Sequence, residues 1–155
     1  AVCTVLCAIQ HINNENDLLI ANSDQFIEAD INDFIKKARE EEKDGLIMTF
    51  YANHPKWSYA RVDENGKVLE VAEKIVISNE ATAGFYYFRK GADFIKSAQS
   101  MIEKNIRYNN EFYVCPVYNE MVLEDKNIYI YPISNKQMHG LGTPEDLRLF
   151  LRGSA

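Results

Sequence analysis

Apolar residues along the chain change their spacing from element to element, and that spacing predicts alternating helices and strands. Val5, Leu6, Ala8, Ile9 and Ile12 recur at helical intervals, so an amphipathic helix is expected to run out at Asn13-Asn14-Glu15-Asn16. Leu18-Leu19-Ile20-Ala21 is a continuous apolar run, the signature of a strand covered on both faces. Asp30 is placed to cap a helix that turns Ile31, Phe34, Ile35 and Ala38 inward and leaves Lys36, Lys37, Arg39, Glu40 and Glu41 in water. Leu46-Ile47-Met48-Thr49-Phe50 predicts a second buried strand. Strand, helix and strand together read as one right-handed βαβ crossover.

Beyond Pro55 the period shortens. Residues 59–62 and 68–71 flank Asp63-Glu64-Asn65-Gly66, a turn whose Gly can supply positive φ, which predicts a β-hairpin. A strand over 83–88, a helix over 91–102, a second helix over 110–123 and a tyrosine-rich strand over 128–133 follow. Thr143 as cap, Pro144 in the first turn and Glu145-Asp146 on the positive end of the helix dipole open a last helix. The expected fold is α/β, a mixed, mostly parallel sheet flanked by helices.

Composition narrows the class. A chain of 155 residues with 46% hydrophobic positions is expected to form one domain over 1–152, with 153–155 as a tail. Its 17 basic and 23 acidic side chains give a net charge of −6, which argues against a nucleic-acid partner. No apolar run approaches the roughly 20 residues needed to cross a bilayer, so no membrane partner is expected. Cys3, Cys7 and Cys115 are odd in number and fit a reducing cytoplasm. Cys3, Cys7 and His11 share a helical spacing that a metal could use, but buried packing of the thiols is the better reading. The chain opens without Met or a basic leader, as if it began inside a longer protein.

Three places carry candidate chemistry. Asn22-Ser23-Asp24-Gln25 follows the first apolar strand, at the sheet edge where α/β proteins bind ligands, and Asp24 could hold Mg²⁺. The same residue types also make simple turns. Glu73-Lys74 ends the hairpin's return strand and offers a hydroxyl acceptor beside a phosphate-seeking ammonium, although such a pair on its own is most often solvated surface. Gly84, inside the apolar run Ala83-Gly84-Phe85, implies a bulge or the close approach of a ligand.

Taken in order, these segments resemble the sugar-phosphate nucleotidyltransferases, the nucleotide-sugar pyrophosphorylases. Leu18-Leu19-Ile20-Ala21-Asn22-Ser23-Asp24 looks like the family's strand ending in a metal-binding Asp, and 58–68 looks like its hairpin. Glu73-Lys74 matches the hallmark pair, Ala83-Gly84-Phe85-Tyr86-Tyr87-Phe88 the strand facing the sugar, and Gly142-Thr143-Pro144-Glu145-Asp146-Leu147 the closing helix start. The likeness covers the later two thirds of such a catalytic domain. The Gly-rich loop and Lys that open it have no counterpart, and residues 1–8 look like the helix that begins in the nucleotide pocket.

The resemblance implies a nucleotide-diphospho-sugar transferase, Rossmann-like fold with its N-terminal part absent. It also implies transfer of a nucleotidyl group from a nucleoside triphosphate to a sugar 1-phosphate with release of pyrophosphate, and Mg²⁺ as cofactor. On this resemblance Asp24 holds the metal, Lys74 pairs with the sugar phosphate, Glu73 accepts sugar hydroxyls and Gly84 leaves room for the ring; Asp24 and Lys74 form the catalytic set. Gly140 stands where many members carry a second metal-binding Asp, with His139 adjacent. The expectation for the chain alone is no turnover, and association into a homo-oligomer through the edge of Leu18–Ala21. A nucleotide-sugar-dependent glycosyltransferase and a non-catalytic sugar-nucleotide-binding domain are the alternatives. Of these the first commonly carries an Asp-x-Asp motif, whereas Ser23-Asp24-Gln25 has one carboxylate.

Overall fold

The computed structural model describes residues 1–153, so Ser154 and Ala155 of the expected tail lie outside the described residues. A short helix α1 (Val2–Leu6) and a single turn α2 (Ile9–Ile12) lead into strand β1 (Leu18–Ala21) and a short strand β2 (Gln25–Ile27). Helix α3 (Ile31–Glu40) and strand β3 (Gly45–Tyr51) follow, then the hairpin β4 (Ser58–Val62) and β5 (Val68–Glu73) and the long strand β6 (Glu80–Phe88). The chain closes with α4 (Gly91–Glu103), α5 (Val117–Leu123), β7 (Ile128–Pro132), β8 (Met138–Gly140) and α6 (Pro144–Gly153).

The α/β class is as expected: one mixed sheet flanked by helices, ordered β5-β4-β6-β3-β7, with β1 also bonded to β6. The expectation of a mostly parallel sheet is corrected, since β3–β7 is parallel and the other pairings of this sheet are antiparallel. The cause is β6. It runs between β1 and β3, antiparallel to both, with Leu18 and Gly45 each opposite Phe88. The two ends of the expected crossover therefore lie parallel to each other but on opposite edges of a third strand.

Strand β3 is buried on both faces up to Phe50, as its apolar run predicts. Leu46, Met48 and Phe50 pack with Phe34 and Ala38 of α3, while Ile47 joins Phe88 and the Phe94, Met101, Tyr118 and Met121 side chains of α4 and α5. Removing each such side chain from water stabilises the fold by roughly 1.5–3 kcal/mol. Asp30 caps α3 as expected, its carboxylate accepting the Asn32 amide at 2.8 Å and the Asp33 amide at 3.3 Å. Strand β1 departs from its pattern, because Leu18 and Ile20 turn inward while Leu19 and Ala21 are exposed. An unbroken apolar run cannot tell one covered face from two.

Three further expectations change. The N-terminal helix breaks at Cys7-Ala8, and Cys3 and Cys7 are exposed; Cys115 is the buried thiol. The helix expected over 110–123 keeps only Val117–Leu123, since Asn109 and Asn110 take left-handed backbone (φ +45° and +63°) and Pro116 stands at its N-cap. Residues 111–116 are left as a non-helical segment beside the hairpin. Strands β2 and β8, three residues each, pair antiparallel in a second sheet that no short-range period announces.

Candidate functional site

The hairpin sets the floor of the site. Register between β4 and β5 puts Ser58 opposite Glu73, and the Ser58 hydroxyl donates to Glu73 Oε2 at 2.5 Å. Glu73 is only 8% exposed. Burial pushes its carboxyl above the ordinary range, against the opposing pull of Ser58 and the Lys74 charge. The next residue, Lys74, has φ +55°, a left-handed backbone that costs a non-glycine residue of order 1 kcal/mol. That turn swings its side chain to the 111–116 segment, where Nζ donates to the Tyr113 hydroxyl at 3.3 Å and lies 5.0 Å and 5.7 Å from the Tyr113 and Tyr108 ring centroids. The hydrogen bond to Tyr113 raises the Lys74 pKa, so the group is an ammonium at neutral pH.

Asp24 reaches the site through the second sheet. Opposition of Gln25 to Gly140 brings the Leu141 amide to the Asp24 carbonyl at 2.8 Å. Gly142 then lies against the Asp24 carboxylate, and a Cβ there would stand 3.0 Å from Oδ2. Gly84 sits at φ +74° where β6 shifts register against β3, so the bulge read from its position is present. The groups that approach it are this chain's own: a Cβ at Gly84 would collide with the Gln25 amide and come within 2.7 Å of Asn22 Nδ2.

These elements enclose a cavity of about 400 Å³, within the range of small-molecule sites. Asp24, Glu73 and Lys74 all line it, and Gly84 lies behind Asn22 and Gln25, whose side chains form part of the wall. Tyr86, Tyr113 and Cys115 line it as well. Burial pushes the Cys115 thiol and the Tyr86 phenol well up, so both stay neutral, and the Tyr86 hydroxyl is bonded to Thr82 at 2.9 Å. The cavity thus combines two ammonium groups, those of Lys74 and Lys56, with the buried acceptor Glu73 and the carboxylates of Asp24 and Asp146, a set suited to a polyhydroxylated anion.

Residues 1–147 match the sequence pattern of the family described as Nucleotidyl transferase. The chain belongs to that family. Among curated proteins none matches it in sequence. In three dimensions the chain is similar to the nucleoside-diphosphate-sugar pyrophosphorylase of Vibrio cholerae RC9, with TM-score 0.77 and 25% identity over 97% of this chain and 61% of that one. The fold is also that of a Bacillus anthracis protein assigned as a glucose-1-phosphate thymidylyltransferase and solved with sucrose, with TM-score 0.74 and 16% identity over 96% of this chain and 58% of that one. The chain spans about three fifths of the length of each.

Among the described residues, no three His, Cys, Asp or Glu side chains converge on one point. No helix is long and apolar enough to cross a membrane. His139 turns away from Asp24 and bonds Glu28 at 2.9 Å. Sequence reasoning gave no role to Trp57 and did not single out Lys56 or Tyr113, yet all line the cavity, as does Asp146 from the first turn of α6. A signal was available for Lys56 and Trp57: they immediately precede the hairpin whose far end is Glu73-Lys74, so pairing the strands brings them to the same end. No such signal marks Tyr113, because its segment reads as helix until the two left-handed asparagines are known.

Proposed function

We propose that this domain binds a sugar 1-phosphate and serves nucleotidyl transfer to it from a nucleoside triphosphate, with release of pyrophosphate. The observation that carries the reading is the convergence of Glu73, Lys74 and Asp24 on one cavity in a chain of the nucleotidyl transferase family. Lys74 neutralises the sugar phosphate and is held ready for it by Tyr113. Glu73 accepts sugar hydroxyls while Ser58 occupies its other oxygen. Asn22 and Gln25, admitted by the missing side chain of Gly84, shape the wall beside the ring.

A divalent metal fits the residues present. The Asp24 carboxylate is exposed, lines the cavity and takes part in none of the ion pairs among the described residues. Mg²⁺ is usually held by one or two carboxylates with phosphate oxygens and water completing the shell, so a single Asp suffices as the protein's contribution. When bound, Mg²⁺ would neutralise phosphate charge. The side chains otherwise act by positioning two polyanions, the main requirement of phosphoryl chemistry.

Calorimetric titration with hexoses and hexose 1-phosphates tests the reading. The phosphorylated form should bind more tightly, and Lys74→Met should weaken it about tenfold or more, the scale of a hydrogen bond to a charged group, while affinity for a nucleotide changes much less. Equal losses for both ligands would refute the assignment of Lys74.

A further inference from the structure

The cavity holds a second ammonium that the reading above does not use. Lys56 precedes β4 as Lys74 follows β5, so the bonded pair Ser58–Glu73 has a lysine beyond it on each strand, and both lysines line the cavity. Lys56 Nζ lies 3.4 Å from Asp146 Oδ1 and 4.6 Å from the Trp57 ring centroid. The side chain is 44% exposed, and an ion pair so placed is worth about 0–1 kcal/mol.

Asp146 does not depend on that partner. Its Oδ2 accepts the Thr143 hydroxyl at 2.7 Å, its backbone amide donates to Thr143 Oγ1 at 3.1 Å, and the Thr143 side-chain bond is the main reason its carboxyl stays below the usual range. Lys56 can therefore leave without stranding a charge. Gly140 keeps the exit clear, for a Cβ there would stand 3.4 Å from the Trp57 ring and 3.8 Å from Asp146 Cγ. Any side chain beyond alanine would have to fill the gap between indole and carboxylate across which Lys56 is held.

We propose that Lys56 is a second anion-binding residue of this cavity, exchanging Asp146 for a phosphate oxygen of the ligand, so that ligands with more than one phosphoryl group are gripped by Lys56 and Lys74 together. This rests on the reading that the cavity takes phosphorylated ligands, and it extends that reading to the Asp146 side. Trp57 is the only tryptophan in the chain, so its emission reports directly on departure of the ammonium from its ring.

The test titrates the chain with inorganic pyrophosphate and with orthophosphate at constant ionic strength without divalent metal, followed by Trp57 fluorescence and by calorimetry. Pyrophosphate should bind more tightly than orthophosphate and alter Trp57 emission. Lys56→Met should weaken pyrophosphate about tenfold and erase the preference, whereas Lys56→Arg should keep most of it. Because the replaced group is exposed, the thermal midpoints of both variants should stay near that of the parent chain. Pyrophosphate affinity that is the same in Lys56→Met as in the parent chain overturns the inference. If hexose 1-phosphate still binds and still depends on Lys74 in that case, the inference fails alone; if neither ligand binds the parent chain, the underlying reading fails with it.

Discussion

Replacing Gly84 by alanine places a methyl group on a backbone at φ +74°, between the amides of Asn22 and Gln25. A Cβ in left-handed backbone costs about 1–2 kcal/mol. The new carbon would also stand 2.7 Å from Asn22 Nδ2 and collide with the Gln25 amide, which now donates to the Ala83 carbonyl. Both amides are ends of flexible side chains and can swing aside, but the swing breaks that bond and removes about 1 kcal/mol more. A loss of about 2–3 kcal/mol is expected, and at about 2–4 °C per kcal/mol for a chain of this size the thermal midpoint should fall by about 4–12 °C. Gly66→Ala is the matched control: its φ is +79°, yet the nearest atom to a new Cβ is Ile130 Cγ1 at 3.7 Å, ordinary contact. The control should lose the backbone part alone and leave hexose 1-phosphate affinity unchanged, while Gly84→Ala weakens that affinity by moving two wall residues. Calorimetric melting and ligand titration of the two variants provide both readouts. Equal midpoints with equal, unchanged affinities would refute the argument that Gly84 exists to admit Asn22 and Gln25.

Two other substitutions probe the frame and the floor. Gly91→Ala would drive a Cβ into the backbone carbonyl of Ile12, where no flexible end can yield, so urea unfolding should report a loss of about 3 kcal/mol; an unchanged midpoint would show that α2 does not rest on α4 as described. Glu73→Gln removes a carboxylate whose pKa burial raises in the fold. Below the ordinary pKa of glutamate both folded and unfolded chains carry the proton, and stability is lost as pH rises through the raised folded value. The variant should therefore gain thermal stability over the parent at pH 7 relative to pH 4, and a gain confined to the acid side would contradict the sign.

Local sequence determined the elements whose signals are short-range. Asp30 as cap, the Phe34 and Ala38 stripe, the Gly66 turn of the hairpin and the buried run of β3 were all legible, because each depends on a few neighbouring residues and one hydrophobic period. The ordered motifs also carried the family and the three residues Asp24, Glu73 and Lys74 that the fold brings to one cavity. Tertiary structure decided the rest. Whether Leu18–Ala21 has one covered face or two depends on what lies across it, and whether neighbouring strands are parallel depends on β6, a later segment of the chain, entering between β1 and β3. The β2–β8 pair joins segments of three residues whose hydrogen bonds are fixed only when residues 25 and 140 meet. Tyr113 belongs to the cavity for the same reason: nothing in its local sequence distinguishes it from a surface residue, and even Lys56 and Asp146, which lie next to readable elements, reach Glu73 and Asp24 only through strand register and the pairing of β2 with β8.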